Sequence, residues 1–265
     1  MTNHRDPPWS ERGGSGARLL VLIHGLAGTA EVWRPLIATL GEGWRGEWLA
    51  VDLPGHGRSP RRGSYSIGGY AADIAALIGR RHDVVVVGHS MGGAVGLALA
   101  SGWFGIDVRV TVAVGIKVRW SGEELGRAAA LAARSPRRFA ARDAAAAHWL
   151  RLAGLDRLWD PGHQGVGPAV SDRDGTFEVA FDNRVNAIGA PPIRALLAAA
   201  QGHVVMARGA DDPMVTDDQI RALGLEPRTV PGAGHNVHVE RPTQFAGLIL
   251  GAMDEPGALD EEGAR

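Results

Sequence analysis

The chain has 265 residues, 45% of them hydrophobic and 22% charged, which is enough apolar material for one sizeable core. It contains no cysteine, so disulfides, thiolate catalysis, zinc–thiolate sites and iron–sulfur clusters are excluded. Lys plus Arg number 28 against 29 Asp plus Glu, a balance that gives no reason to expect nucleic acid or an anionic membrane as partner.

The N-terminal stretch MTNHRDPPWS is polar and lacks the basic-then-apolar pattern of a secretory signal. No apolar run approaches the roughly 20 residues that span a bilayer. The expectation is a soluble cytoplasmic protein, monomer or homodimer, that acts on a small-molecule substrate.

Up to Gly16 the chain reads as a lead-in, with room for a short edge strand. Arg18–His24 (RLLVLIH) is a continuous apolar run of the kind buried on both faces of a parallel sheet. Ala30–Leu40 is apolar at helical spacing, and Glu47–Asp52 is a second strand. The turn Asp52–Ser59 (DLPGHGRS) follows. Asp52 is expected to bond nearby backbone or Arg58, and His56 to be structural. Ile67–Gly79 reads as a helix. Val84–Gly88 is the clearest strand, because four β-branched residues in a row disfavour helix. Met91–Ser101 is the next helix and Val108–Val114 the next strand.

From Lys117 to Pro192 no strand is evident. Glu123–Ala133 and Arg137–Leu152 read as helices, and residues 156–192 as irregular. The alternation resumes with helix Ile193–Ala200, strand His203–Arg208, helix Asp217–Leu223, a weaker strand Glu226–Val230 and helix Pro242–Met253. Strands alternating with helices predict an α/β fold whose parallel sheet is covered on both faces, with ligands beyond the carboxyl ends of the strands. The expected organisation is a core of residues 1–116 and 193–265, a helical lid at 117–192, and a disordered acidic tail at 254–265.

The chemistry concentrates at strand ends. Gly88-His-Ser90-Met-Gly-Gly93 is G-x-S-x-G directly between a strand and a helix, the context that makes this motif a nucleophile elbow. A phosphate loop needs Gly-Lys-Ser/Thr, and no Lys is present; the dinucleotide pattern G-x-G-x-x-G also fails. Among ten histidines, His235 lies in the Gly-rich loop Pro231–Asn236, after the last strand and before the last helix, where it can reach over the sheet toward Ser90. His238 is its rival and is expected to pack at the start of the final helix. An acid is needed to orient the imidazole, and the end of strand His203–Arg208 offers both Asp211 and Asp212. Residue physics alone does not choose between them. Two backbone N–H groups should hold an oxyanion: Met91, after the nucleophile, and Leu26, in the loop His24–Gly28.

With these residues in place the chain resembles the α/β-hydrolase superfamily, in its lid-bearing branch of small esterases, carbon–carbon hydrolases and cofactor-free haloperoxidase-like proteins. The motifs are HGLAG (24–28), DLPGHGRS (52–59), GHSMGG (88–93), RGADDPM (208–214) and GAGHNVHVERP (232–242). The resemblance implies an eight-stranded, mostly parallel sheet with a helical cap after the sixth strand, acyl-enzyme chemistry at Ser90, Asp212 as the acid with Asp211 as runner-up, and no cofactor or metal. His89 stands where carbon–carbon hydrolases often carry Asn. The activity it implies is hydrolysis of a small, largely apolar carboxylic ester, thioester or lactone. The alternatives are carbon–carbon or lyase-type chemistry with the same triad, and a non-catalytic ligand-binding protein. Trp33, Trp120, Trp149 and Trp159 are the candidate substrate contacts. Arg134, Arg137, Arg138 and Arg142 are candidates to meet a substrate carboxylate.

Overall fold

The computed structural model describes residues 6–81 and 83–255. Strands β1 (Ser10–Gly14), β2 (Leu19–Ile23), β3 (Glu47–Val51), β4 (Val84–His89), β5 (Val108–Val114), β9 (His203–Gly209) and β10 (Arg228–Val230) form one sheet in the order β1-β3-β2-β4-β5-β9-β10. Only β1, which runs antiparallel to β3, breaks the parallel arrangement. Every residue of β2 and β4 is buried, because helices cover both faces. Helices α1 (Arg34–Leu40), α8 (Val237–Glu240) and α9 (Pro242–Met253) pack together, and α2 (Ile67–Ile78), α3 (Met91–Leu99) and α6 (Ile193–Ala199) form the second group. Helix α7 (Asp217–Arg221) joins β9 to β10.

The chain runs from β2 outward to β3, then crosses back over β2 to β4. The strand order therefore reverses between β2 and β4, and a crevice opens beyond their carboxyl ends. The loop after β2 and the turn after β4 both empty into it.

Three expectations are corrected. Seven strands pair in this sheet among the described residues, not eight, and the insertion accordingly follows the fifth strand in chain order, not the sixth. Pro7 and Pro8 precede β1 and have no N–H to extend the pairing. The insertion is not purely helical: α4 (Gly122–Ala132) and α5 (Arg142–Leu152) stand beside a three-stranded antiparallel sheet of β6 (Arg138–Phe139), β7 (Val170–Arg173) and β8 (Thr176–Val179), in the order β6-β8-β7. The helix expected from Arg137 begins only at Arg142, because Arg138–Phe139 pairs with β8 and Arg138 bonds Glu178 (3.0 Å). Of the tail expected at 254–265, residues 256–265 lie outside the described residues. Glu255 is held, its carboxylate accepting from Arg228 (2.7 Å).

Candidate active site

Strand β4 passes into α3 through Ser90, whose backbone sits at φ 52° and ψ −115°. A residue with a side chain costs about 1–3 kcal/mol in such a region and persists only where its surroundings enforce it. Here they do. A Cβ on Gly88 would lie 2.3 Å from the Gly92 carbonyl, and one on Gly92 would lie 2.2 Å from that of Ile23, so the turn closes only with glycine on both sides. The Ser90 N–H donates to the Val114 carbonyl (2.8 Å), locking the turn to β5. Ser90 occupies the N-cap position of α3 without making a capping bond, so its hydroxyl is not spent on the helix.

His235 stands in the loop between β10 and α8. Its Nδ1 is 3.0 Å from Oδ2 of Asp212, which enters from the loop after β9 and is 3% exposed. The other Asp212 oxygen accepts from the Met214 N–H (2.8 Å). Asp211 points away and is exposed, its amide donating to the Ala233 carbonyl (2.9 Å). With Nδ1 engaged, Nε2 is the nitrogen His235 has for chemistry. Gly115 makes room for this pair: at φ 68°, it would carry a Cβ 3.2 Å from the imidazole and 3.3 Å from Asp212 Oδ2.

The main chain around His235 is held on every side. The N–H groups of Gly234 and Asn236 donate to the two oxygens of Glu240 (2.7 and 3.0 Å). The His235 carbonyl is 3.0 Å from Nε2 of the buried His89. Burial and the neighbouring His235 and His238 push the His89 pKa well below its ordinary value, so this ring is neutral and donates through Nε2. His238 packs between Trp33 and His89, and neither ring nitrogen has a partner among the described residues; burial lowers its pKa to about 3. His24 orders the loop after β2: its Nε2 accepts from the Leu53 N–H (2.9 Å), so its Nδ1 carries the proton and donates to the Gly25 carbonyl (2.7 Å). His56 is buried against His24 and Phe181. The Asp52 carboxylate is fully buried and accepts from the Ala30 N–H (2.7 Å) and from Arg58 Nε (2.7 Å), which fixes the floor.

Ser90 and His235 line one cavity of about 450 Å³, together with Leu26 and Met91. Met91 is the first residue of α3, and its N–H has no earlier helical carbonyl to reach. Leu26 sits in a turn closed by the Gly28 N–H to the Gly25 carbonyl (3.0 Å). The walls are mostly apolar, among them Ile116, Leu131, Leu152 and Met214, and come largely from the insertion.

Of the four tryptophans expected at the substrate, only Trp120 lines this cavity. Trp33 is fully buried against His238. Trp149 is 1% exposed and donates its indole N–H to the Ala27 carbonyl (2.7 Å). Trp159 is buried and stacks on His163 at 4.1 Å. Large indoles are drawn into the most enclosed apolar space, and in this protein that space lies behind the cavity wall. The expected arginines also lie elsewhere. None of Arg134, Arg137, Arg138 and Arg142 lines the cavity; its cations are Lys117, Arg127 and Arg151. Lys117 pairs with Glu124, and Arg127 with Glu123. Glu240 and Asn236 were not singled out from sequence; the available signal was Asn236 directly after the loop histidine and Glu240 one short helix further on. Among the described residues no cluster of acidic and histidine side chains is arranged to hold a metal ion, and no helix is long and apolar enough to cross a membrane.

Comparison with known proteins places this geometry in context. A model described as the alpha/beta hydrolase family matches residues 20–248. The chain is 29% identical to 2-succinyl-6-hydroxy-2,4-cyclohexadiene-1-carboxylate synthase of Serratia proteamaculans (strain 568), over 95% of each chain. It is 41% identical to lipase LipV of Mycobacterium tuberculosis over 91 residues, about a third (34%) of each chain. Among solved structures, the thioesterase domain from the curacin biosynthetic pathway superposes with a TM-score of 0.75 at 20% identity, covering 91% of this chain and 94% of that one. E-2-(acetamidomethylene)succinate hydrolase superposes with a TM-score of 0.73 at 25% identity, covering 93% and 94%.

Proposed function

The chain belongs to the alpha/beta hydrolase family, and from that premise we propose that it is a serine hydrolase of small, largely apolar carboxylic esters, thioesters or lactones. The observation that carries this reading is one cavity holding both a serine on a strained strand–helix turn and an imidazole whose Nδ1 is bound to a buried carboxylate. Ser90 Oγ attacks the acyl carbon while His235 Nε2 takes its proton. Asp212 fixes the ring's tautomer and stabilises the imidazolium. The Leu26 and Met91 amides hold the oxyanion. Collapse expels the alcohol or thiol, which receives the proton from His235. The same nitrogen then activates water to release the acid and restore Ser90. No cofactor takes part in these steps.

The test is covalent labelling with a fluorophosphonate, read by intact mass, alongside hydrolysis of p-nitrophenyl butyrate. One adduct on Ser90, absent from Ser90→Ala and His235→Ala, with turnover falling by at least about a thousandfold in both, is expected. Ligand-induced stabilisation without labelling or turnover would instead mark a binding protein.

A second reading is carbon–carbon cleavage or elimination by the same residues. Two observations favour it: the full-length relative is named as a synthase of a carboxylate, and the cations Lys117, Arg127 and Arg151 outnumber the one acidic residue, Glu124, that lines the same cavity, so that a substrate carboxylate would find a cation there. Assaying β-diketones and succinyl-bearing elimination substrates beside the ester panel separates the two.

A further inference from the structure

The turn of residues 55–57 joins the insertion to the core through the Gly57 N–H to the Ala180 carbonyl (2.7 Å) and the Asp182 N–H to the Gly55 carbonyl (2.8 Å), and the Tyr65 hydroxyl donates to Asp182 (2.8 Å). Two further junctions are loops that the proposed reaction uses. The first is the turn Gly25–Gly28. Its third residue, Ala27, adopts φ 59°, where glycine is the usual choice. This puts the Ala27 carbonyl toward α5, and the buried indole of Trp149 donates to it at 2.7 Å. The second is the loop of His235. The side chain of Asn236, 4% exposed, donates through Nδ2 to the carbonyls of Ala153 (3.2 Å) and Gly154 (3.0 Å). These carbonyls lie at the end of α5, where the helix cannot satisfy them itself. The Leu155 N–H already turns back to the Leu150 carbonyl (2.8 Å), completing a helix stop with Gly154 at φ 67°. A Cβ on Gly154 would lie 3.2 Å from Asn236 Nδ2, so the approach is tight.

We propose that α5 is a fixed strut between the oxyanion loop and the histidine loop, and that Trp149 and Asn236 are positioning residues that set the distance between the Leu26 amide and His235. The claim rests on the serine-hydrolase reading for its kinetic consequence, but not for its structural one. Leu26 and Ala27 are adjacent, so the carbonyl that Trp149 holds fixes the turn whose first inner amide faces the oxyanion. Asn236 is bonded to His235, so the same helix holds the base. Neither side chain touches the reacting atoms.

The experiment compares wild type, Trp149→Phe, Trp159→Phe and Asn236→Leu by p-nitrophenyl butyrate kinetics and by amide hydrogen exchange. Trp149→Phe removes the N–H while keeping an aromatic ring. Trp159→Phe takes a similar volume from the neighbouring ring, 6.3 Å away, without touching the loop bond. The expected result is a kcat about tenfold to a hundredfold lower in Trp149→Phe with KM within about twofold, because displacing an oxyanion donor weakens only the transition state. Trp159→Phe keeps kcat within about threefold. Exchange rises in residues 25–30 for Trp149→Phe, and in 235–240 with the last turn of α5 for Asn236→Leu.

Full kcat and unchanged exchange in Trp149→Phe would overturn the strut. So would equal kinetic losses in Trp149→Phe and Trp159→Phe, which would make packing the cause. If wild type neither labels nor turns over, the hydrolase reading fails, and exchange alone decides the strut: loosened loops support it and unmoved loops end it.

Discussion

Helices α4 and α5 have 11 residues each, belong to the same insertion and wall the same cavity, yet they are held in opposite ways. Helix α5 buries Ala145, Ala146, Trp149 and Leu150 and bonds two core loops, through Trp149 in its last two turns and through the Ala153 and Gly154 carbonyls just past its end. Helix α4 buries no residue. It depends on a capping box between Ser121 and Glu124, an ion pair from Lys117 to Glu124, and contact with the short 3-10 turn Asn183–Ile188. Exposed pairs and caps contribute roughly 1 kcal/mol each, whereas a buried aromatic contributes several. The contrast predicts that α4 opens more readily than α5, since local stability follows buried contact and not sequence proximity.

The comparison is most exposed to a pair of truncations. Trp149→Ala should cost about 3–5 kcal/mol, while Leu131→Ala, on the α4 wall and 42% exposed, should cost less than about 0.5 kcal/mol. Urea unfolding monitored by circular dichroism measures both, and comparable losses would erase the distinction.

Acid should separate the core from α4 next. His89 and His238 are buried neutral, with the His238 pKa at about 3 against 6.5 for the free side chain. Below pH 6.5 the unfolded chain therefore binds protons that the folded chain does not, and stability falls as pH drops toward 3. Glu124 behaves differently. Lys117 and the Ser121 backbone hold its pKa at about 2, below the ordinary 4.5, so its contribution is present above pH 4.5 and lost only as pH falls toward 2. The melting temperature should drop by several degrees between pH 7 and 5 while the α4 ion pair is still intact. Thermal melts of wild type and His238→Leu across that range check this, the variant showing the shallower dependence.

The smallest effect is local. Ser121→Ala removes the α4 cap at a cost of about 1 kcal/mol. Exchange of α4 amides should rise roughly fivefold, with the melting temperature moving less than about 2 °C and α5 exchange unchanged. A coupled rise in α5 would show that the two helices open together.

Structure is legible in this sequence wherever backbone geometry dictates residue type, and hidden where two environments select the same residue. Ser90, with glycines packed on both sides, occurs in a pattern that few other turns require. The parallel strands announce themselves as β-branched runs because both faces are covered. The strands of the insertion did not. β7, its turn and β8 read VSDRDGTFEV, charged enough to pass for loop, and the signal was the two-residue turn: Asp174 at φ 53° and Gly175 at φ 80° form the mirror-image hairpin turn that Asp-Gly favours. The tryptophans were illegible for another reason. A wall of the cavity and the packing behind it are both apolar, so composition could not assign Trp149 to one or the other; its partner, Ala27, lies 122 residues away. Residue physics does not separate Asp211 from Asp212, since both carry the same carboxylate at the same strand end; the resemblance points to Asp212, and in the structure Asp211 is exposed while Asp212 is buried against His235.

The two anchors of α5 also set an order in time. The partner of Trp149, Ala27, is made 122 residues earlier, but Asn236 comes 82 residues after Gly154. At translation rates of about 5–20 residues per second, that gap is roughly 4–16 s. During synthesis the helix can therefore bind the front half of the core well before the histidine loop exists. The end of α5 then presents two uncapped carbonyls, a waiting edge that the last fifth of the chain must find before His235 joins the cavity.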